Sequence, residues 1–245
     1  MKLPKLLQLA LDNAAHPKRL TVEDKGGAEA TLYMYDVIDN DYGVSDTAFA
    51  DALNSITAPK IHLRINSPGG DVFAARAMVT AIAAHKSTIV AHIDGLAASA
   101  ASYVAMAADE VEISDGGFLM IHKAWTGMFG NADDFTATAA LLSKIDASIV
   151  SDYARRTGKD EAQITDWMSA ETWFSAQEAL DQGFVNSIAT NEKGAKTQDA
   201  WNLSAYANAP APADAPEPDP QLAEQVAAQL AHNRNRMRLL AQSQI

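Results

Sequence analysis

Between residues 30 and 130, short apolar runs rich in β-branched residues alternate with small-residue segments of helical spacing. That alternation leaves little choice of fold. Strands separated by helices of about 10 to 15 residues pair in parallel and need helices to cover the sheet, which predicts an α/β core. Thr31–Tyr35, Ile61–Ile65, Thr88–Ile93, Glu110–Ile113 and Phe118–His122 read as strands. Asp46–Ile56 reads as a helix behind an N-cap at Ser45, with Phe49, Leu53 and Ile56 on one face. A second helix is expected over about Val72–Ala84. Asp94-Gly95 reads as a turn and Ala97–Ala107 as a third helix.

Downstream, apolar residues from Phe135 to Tyr153 recur at helical spacing, so residues 131–157 form one long helix of about 40 Å. That is longer than a helix needs to be to cover one sheet, and part of it is expected to protrude or meet another subunit. Ile164–Met168 and Ser175–Gln182 are shorter helices, the second closed by Gly183. Four regions result: an N-terminal arm over 1–28, a core domain over 29–190, a linker over 191–220 with five prolines from 210 onward, and an amphipathic helix within 221–245.

Charge narrows the function. The net charge is -12, and residues 29–190 carry -13 of it, so general nucleic-acid binding is not expected. The absence of cysteine removes thiol nucleophiles and thiolate metal sites. No apolar run reaches the 18 to 20 residues of a membrane span, and Leu6–Leu11 is too short for a signal-peptide core. These features predict a soluble intracellular protein with no membrane anchor.

Three elements fall at strand ends, where α/β folds bind ligands. Gly69-Gly70 opens a helix and can present backbone N–H groups to an anion; it also fits an ordinary tight turn. Ser99 and Ser102 fall in the first turn of the expected third helix, where the helix field favours negative charge; both also fit buried helix serines. His122 closes an apolar strand, whereas His62 and His92 lie within strands and read as structural. Glu171 and Asp166 are available to orient a histidine. Serine, histidine and carboxylate make up the inventory of a serine hydrolase, although the GxSxG elbow is missing.

The runs HLRINSPGGDVFAA (62–75), IDGLAASAASYVAMAAD (93–109), FLMIHKAWTG (118–127) and ETWFSAQEALDQGFVNSI (171–188) resemble the ClpP family of self-compartmentalising serine peptidases. Among its members they are most similar to the ClpP-related head maturation proteases of tailed bacteriophages and prophages. The resemblance spans about residues 30–190. It implies a ClpP/crotonase-like fold of repeated β-β-α units with a handle helix at 131–157. It also implies Ser99 as nucleophile, His122 as general base, and oxyanion N–H groups from Ala100 and from Gly69 or Gly70. Val72, Lys123, Ala124 and Trp125 would then border the substrate strand.

Glu171 stands where ClpP itself carries an aspartate. It is the expected third triad member, with Asp166 as fallback or a dyad without an acid as the other outcome. The resemblance further implies a ring-type homo-oligomer, of one ring or two stacked rings, no metal or cofactor, and phage scaffold or capsid proteins as substrates. It places the protein in the host cytoplasm or prohead interior, and the tail after residue 190 would tether the protease or be removed by self-cleavage. Competing readings are a cellular peptidase working with an AAA+ unfoldase, a crotonase-type acyl-CoA enzyme, a membrane-anchored serine-lysine peptidase, and an inactive structural homologue.

Overall fold

A computed structural model describes residues 5–15, 19–189 and 201–210. The expected C-terminal helix and most of the proline-rich linker lie outside them. Eight strands form one mostly parallel sheet. Its main path runs β1 (Arg19–Asp24), β2 (Glu29–Tyr35), β3 (Lys60–Ser67), β4 (Thr88–Ala98), β5 (Glu110–Ser114) and β8 (Ser187–Ala189). β6 (Phe118–Ile121) leaves this path to pair with the far end of β4, and β7 (Thr172–Ser175) pairs antiparallel with β6.

β1 is the first departure from the sequence reading, which assigns it to an arm. It pairs antiparallel with β2 over its whole length, Arg19 opposite Tyr35 through Asp24 opposite Ala30. The Gly26-Gly27 pair therefore sits in a hairpin connection, not at the edge of a separate segment. α1 (Lys5–Asp12) precedes it and buries Leu9 and Ala10.

The sheet has two unlike faces. On β3, Ile61, Leu63 and Ile65 are fully buried, while His62 and Arg64 alternate onto the other face. The apolar face carries α2 (Asp46–Asn54), α3 (Val72–Ala84), α4 (Ala100–Ala105), α6 (Glu161–Ala170), α7 (Ala176–Asp181) and the second half of α5 (Ala132–Thr157). The other face is polar along its middle. A chain of contacts crosses three strands there: His62 Nδ1 to His92 Nε2 at 2.8 Å, and His92 Nδ1 to Glu112 Oε2 at 2.8 Å. Both histidines are thus held by sheet neighbours.

Helix ends follow local chemistry. Ser45 Oγ accepts from Ala48 N, and Asn131 with Asp134 forms a capping box at the start of α5. Gly158 ends α5 in the left-handed conformation. Along α5, Ile145, Ile149, Val150 and Tyr153 are buried, but Phe135 and Leu141 are 53% and 51% exposed. The first half of this helix stands clear of the core. Among the described residues, no helix is long and apolar enough to cross a membrane, and no cluster of three or more His, Asp or Glu is placed to hold a metal ion.

Candidate active site

The site is built where β4 changes partners. Residues 90–93 of β4 pair with β5, and residues 96–98 pair with β6. The expected turn at Asp94-Gly95 is therefore continuous strand. The polar signal that suggests a turn is spent across the sheet instead: the Asp94 carboxylate accepts from Arg64 Nε at 2.8 Å, pairs with its terminal nitrogen, and accepts from the Tyr35 hydroxyl. The strand runs on to Ala98, and the helix starts at Ala100 instead of Ala97.

Ser99 sits alone at that joint, at φ 52° and ψ -121°. A non-glycine residue there is strained by roughly 1–3 kcal/mol, and such strain gathers at functional positions. It turns the Ser99 side chain out of the strand-to-helix corner. Ser99 Oγ lies 2.7 Å from Nε2 of His122, which follows the last residue of β6. The register of β4 on β6 fixes the pair, because Ser99 N donates to Met120 O at 2.9 Å. Ser102, the other candidate, is a buried helix serine. Its hydroxyl bonds Ser99 O, Met120 O and the Tyr153 hydroxyl at 2.7 to 2.9 Å.

A cleft of about 490 Å³ opens on this pair. Gly70, Val72, Ala100, Ala124 and Trp125 border it, and Leu141, Leu142, Ile145 and Ile149 give it an apolar floor from α5. Lys123 is exposed and does not line it; its N–H donates to Met168 O at 3.1 Å. Gly69 and Gly70 adopt φ of 91° and 151°. A Cβ on Gly70 would overlap the Ile38 carbonyl, and one on Gly69 the Ala98 carbonyl. Both positions thus exclude side chains for reasons of space as well as conformation. The Gly69 N–H donates to Ser67 Oγ at 3.2 Å.

Burial among aromatic rings, and secondarily the charge of Lys5, holds the His122 pKa down, from 6.5 to about 4. No hydrogen bond or ion pair joins His122 to a carboxylate among the described residues. Glu171 caps α6 at φ 51°, and its Oε1 accepts the Asn208 N–H at 2.7 Å. Asp166 is exposed on α6. Neither acidic residue expected from the sequence is brought to the histidine. Ser99 and Glu171 are the only non-glycine residues with positive φ among those described.

Sequence reasoning missed one participant entirely. Residues 201–210 fold back on the sheet beside the site, with Trp201, Ala205 and Tyr206 buried. A signal was available: Trp201 and Tyr206 are the sole aromatic residues after residue 190. Large apolar rings have little place in a solvated linker.

The chain matches the model of the Clp protease family over residues 29–192. It is 31% identical over 144 residues to the ATP-dependent Clp protease proteolytic subunit 2 of Treponema denticola, covering 58% of this chain and 72% of that protein. It is 30% identical over 174 residues to the corresponding subunit 2 of Tropheryma whipplei, covering 69% and 96%. A solved ClpP1 mutant from Listeria monocytogenes superposes with a TM-score of 0.58 at 26% identity, over 66% of this chain and 92% of that one. The family match begins at β2 and ends just past β8, so it takes in the parallel sheet, the β4 joint and the long helix that together frame the cleft: this chain belongs to the Clp protease family of serine endopeptidases.

Proposed function

We propose that the protein hydrolyses peptide bonds by acyl transfer through Ser99 and His122. The observation that carries this reading is the 2.7 Å contact of Ser99 Oγ with His122 Nε2 at the mouth of an apolar cleft. An extended substrate adds as a strand between the Gly70–Val72 wall and the Ala124–Trp125 wall. Ser99 Oγ bonds to the scissile carbonyl carbon while His122 Nε2 takes its proton. The developing oxyanion is held by the N–H of Ala100, first residue of α4, and by that of Gly69 or Gly70. The C–N bond then breaks, His122 returns the proton to the leaving amine, and water releases the acyl group by the same route. Hydrolysis of an extended fluorogenic peptide by the wild type, with neither Ser99→Ala nor His122→Ala above background, is the expected outcome. Equal turnover by Ser99→Ala would remove the assignment.

The physiological role we infer is processing of phage scaffold or capsid proteins during head maturation, by a ring-type homo-oligomer. Two features support it. The four sequence runs resemble those of ClpP-related head maturation proteases, and the chain continues past residue 192 into a proline-rich tail. Self-association is supported by the exposed Phe135 and Leu141 on the free half of α5. Cleavage of purified scaffold protein without any unfoldase is expected. A second reading, a peptidase fed by an AAA+ unfoldase, is favoured by the likeness to ATP-dependent Clp subunits. Turnover only of unfolded substrates delivered by such a partner would select it.

A further inference from the structure

Residues 201–210 lie beyond the part matched by the family model, yet they touch the machinery at more than one point. Trp201 Nε1 donates to Asn66 Oδ1 at 3.0 Å, at the end of β3. Asn202 N donates to Asn13 Oδ1 at 2.7 Å, and Asn13 Nδ2 donates back to Asn202 O at 2.9 Å, tying the segment to the end of α1. Tyr206, 5% exposed, stacks on Trp125 at 5.1 Å and meets the rings of His122 and Trp173 edge-on at 5.4 and 5.8 Å. Its hydroxyl donates to Pro68 O and also interacts with the Ser99 side chain. Two residues on, Asn208 N donates to Glu171 Oε1 at 2.7 Å and Asn208 Nδ2 to Ala170 O at 2.8 Å.

Each of the last two anchors restrains a catalytic part. Pro68 C=O and Gly69 N–H belong to one planar peptide and point in opposite directions. With the carbonyl drawn to Tyr206 on the Ser99 side, the N–H faces away, toward Ser67 Oγ. One prospective oxyanion donor is thereby turned from the nucleophile. Asn208 meanwhile occupies an oxygen of the acid expected to orient His122. No residue of 201–210 lines the cleft, so the segment leaves the substrate path open.

We propose that residues 201–210 form a clasp that keeps the site latent, Tyr206 holding the Pro68–Gly69 peptide and Asn208 holding Glu171 away from their working positions. Release lets the Gly69 N–H turn to the cleft and Glu171 reach His122. The proposal deepens, and rests on, the serine peptidase reading above. The closed state also carries a cost that favours release: Trp173 Nε1, beside Tyr206, is buried without an acceptor among the described residues.

The test uses the full chain. Tyr206→Phe keeps the ring packing and removes the hydroxyl that meets Pro68 O and Ser99; Asn208→Pro removes the N–H that Glu171 accepts. Labelling rates of Ser99 by a fluorophosphonate, and kcat and KM for an extended peptide, are measured on each. Both variants should label faster and gain kcat, Tyr206→Phe on the order of 10²-fold for one recovered oxyanion donor and Asn208→Pro through the freed Glu171, with KM unchanged because the cleft was never filled. Adding Glu171→Gln to Asn208→Pro should cancel its gain. Variants that unfold at the wild-type temperature but label no faster overturn the clasp and leave Ser99 as nucleophile. A slower rate in them shows instead that the segment supports the site, and overturns it equally. Absence of label from Ser99 in every protein, wild type included, removes the serine peptidase reading and the clasp with it.

Discussion

Ser99 and His122 are within hydrogen-bonding distance although no carboxylate among the described residues backs the histidine, and this sets the pH behaviour of the site. A general base must be neutral to act. Because the His122 pKa is lowered to about 4, by burial and then by Lys5, the acid limb of kcat/KM should lie near pH 4 and not near 6.5. The same shift predicts a stability effect of defined sign. The folded state resists protonating His122, so stability falls as pH drops from 6.5 to 4, by up to about 3 kcal/mol. Urea unfolding of wild type and His122→Asn across that window should show the larger loss in the wild type, since His92, Glu29 and Glu178 lose stability on acidification in both. Glu171→Gln in the otherwise native chain should change kcat less than about threefold, because the carboxylate is engaged by Asn208, whereas losing a working triad acid costs about 10⁴-fold. The Ser99–His122 pairing was expected from the sequence because the family resemblance rests on the short motifs that carry both residues. Tyr206 and Asn208 were not. Their partners Pro68 and Glu171 are 138 and 37 residues away, and no local pattern encodes that contact.

Among the elements, those with strong end signals were read closely from sequence. α5 begins after Asn131 and ends before Gly158, and α2 follows Ser45, because capping side chains and a left-handed glycine are local chemistry. The end of β4 was misread because Asp94-Gly95 carries a turn signal that tertiary pairing with Arg64 and Tyr35 overrides. β1 was missed for the same kind of reason: its pairing with β2 is what makes Arg19–Asp24 a strand. The loop from Ser67 to Gly70 gives the sharpest test at this scale. Gly70→Ala places a methyl on the Ile38 carbonyl at a φ of 151°, and should cost several kcal/mol, on the order of 3, measured by chemical denaturation. Ser102→Ala leaves the buried Tyr153 hydroxyl without its serine partner and should cost about 1–3 kcal/mol.

At the scale of the whole molecule, an α/β core of parallel strands and covering helices was legible from the alternation of strands and helices, since periodicity reports which residues face the core; the antiparallel pairs at β1 and β7 were not. The second, smaller apolar cluster was not, because it joins α1, the ends of β4 and β6, and residues 201–206 from distant parts of the chain. The half of α5 that stands off the core is the surface from which assembly can be tested. Phe135→Asp with Leu141→Asp should lower the sedimentation coefficient toward that of one chain and leave the unfolding transition of the monomer unchanged, because neither side chain is part of the buried core. The central claim is that Ser99 is an activated nucleophile, and intact mass after fluorophosphonate treatment tests it most directly. One adduct on the wild type, mapped to Ser99 and missing from Ser99→Ala, is the predicted result. Absence of an adduct from both the wild type and Tyr206→Phe, or an adduct that persists in Ser99→Ala, would contradict it.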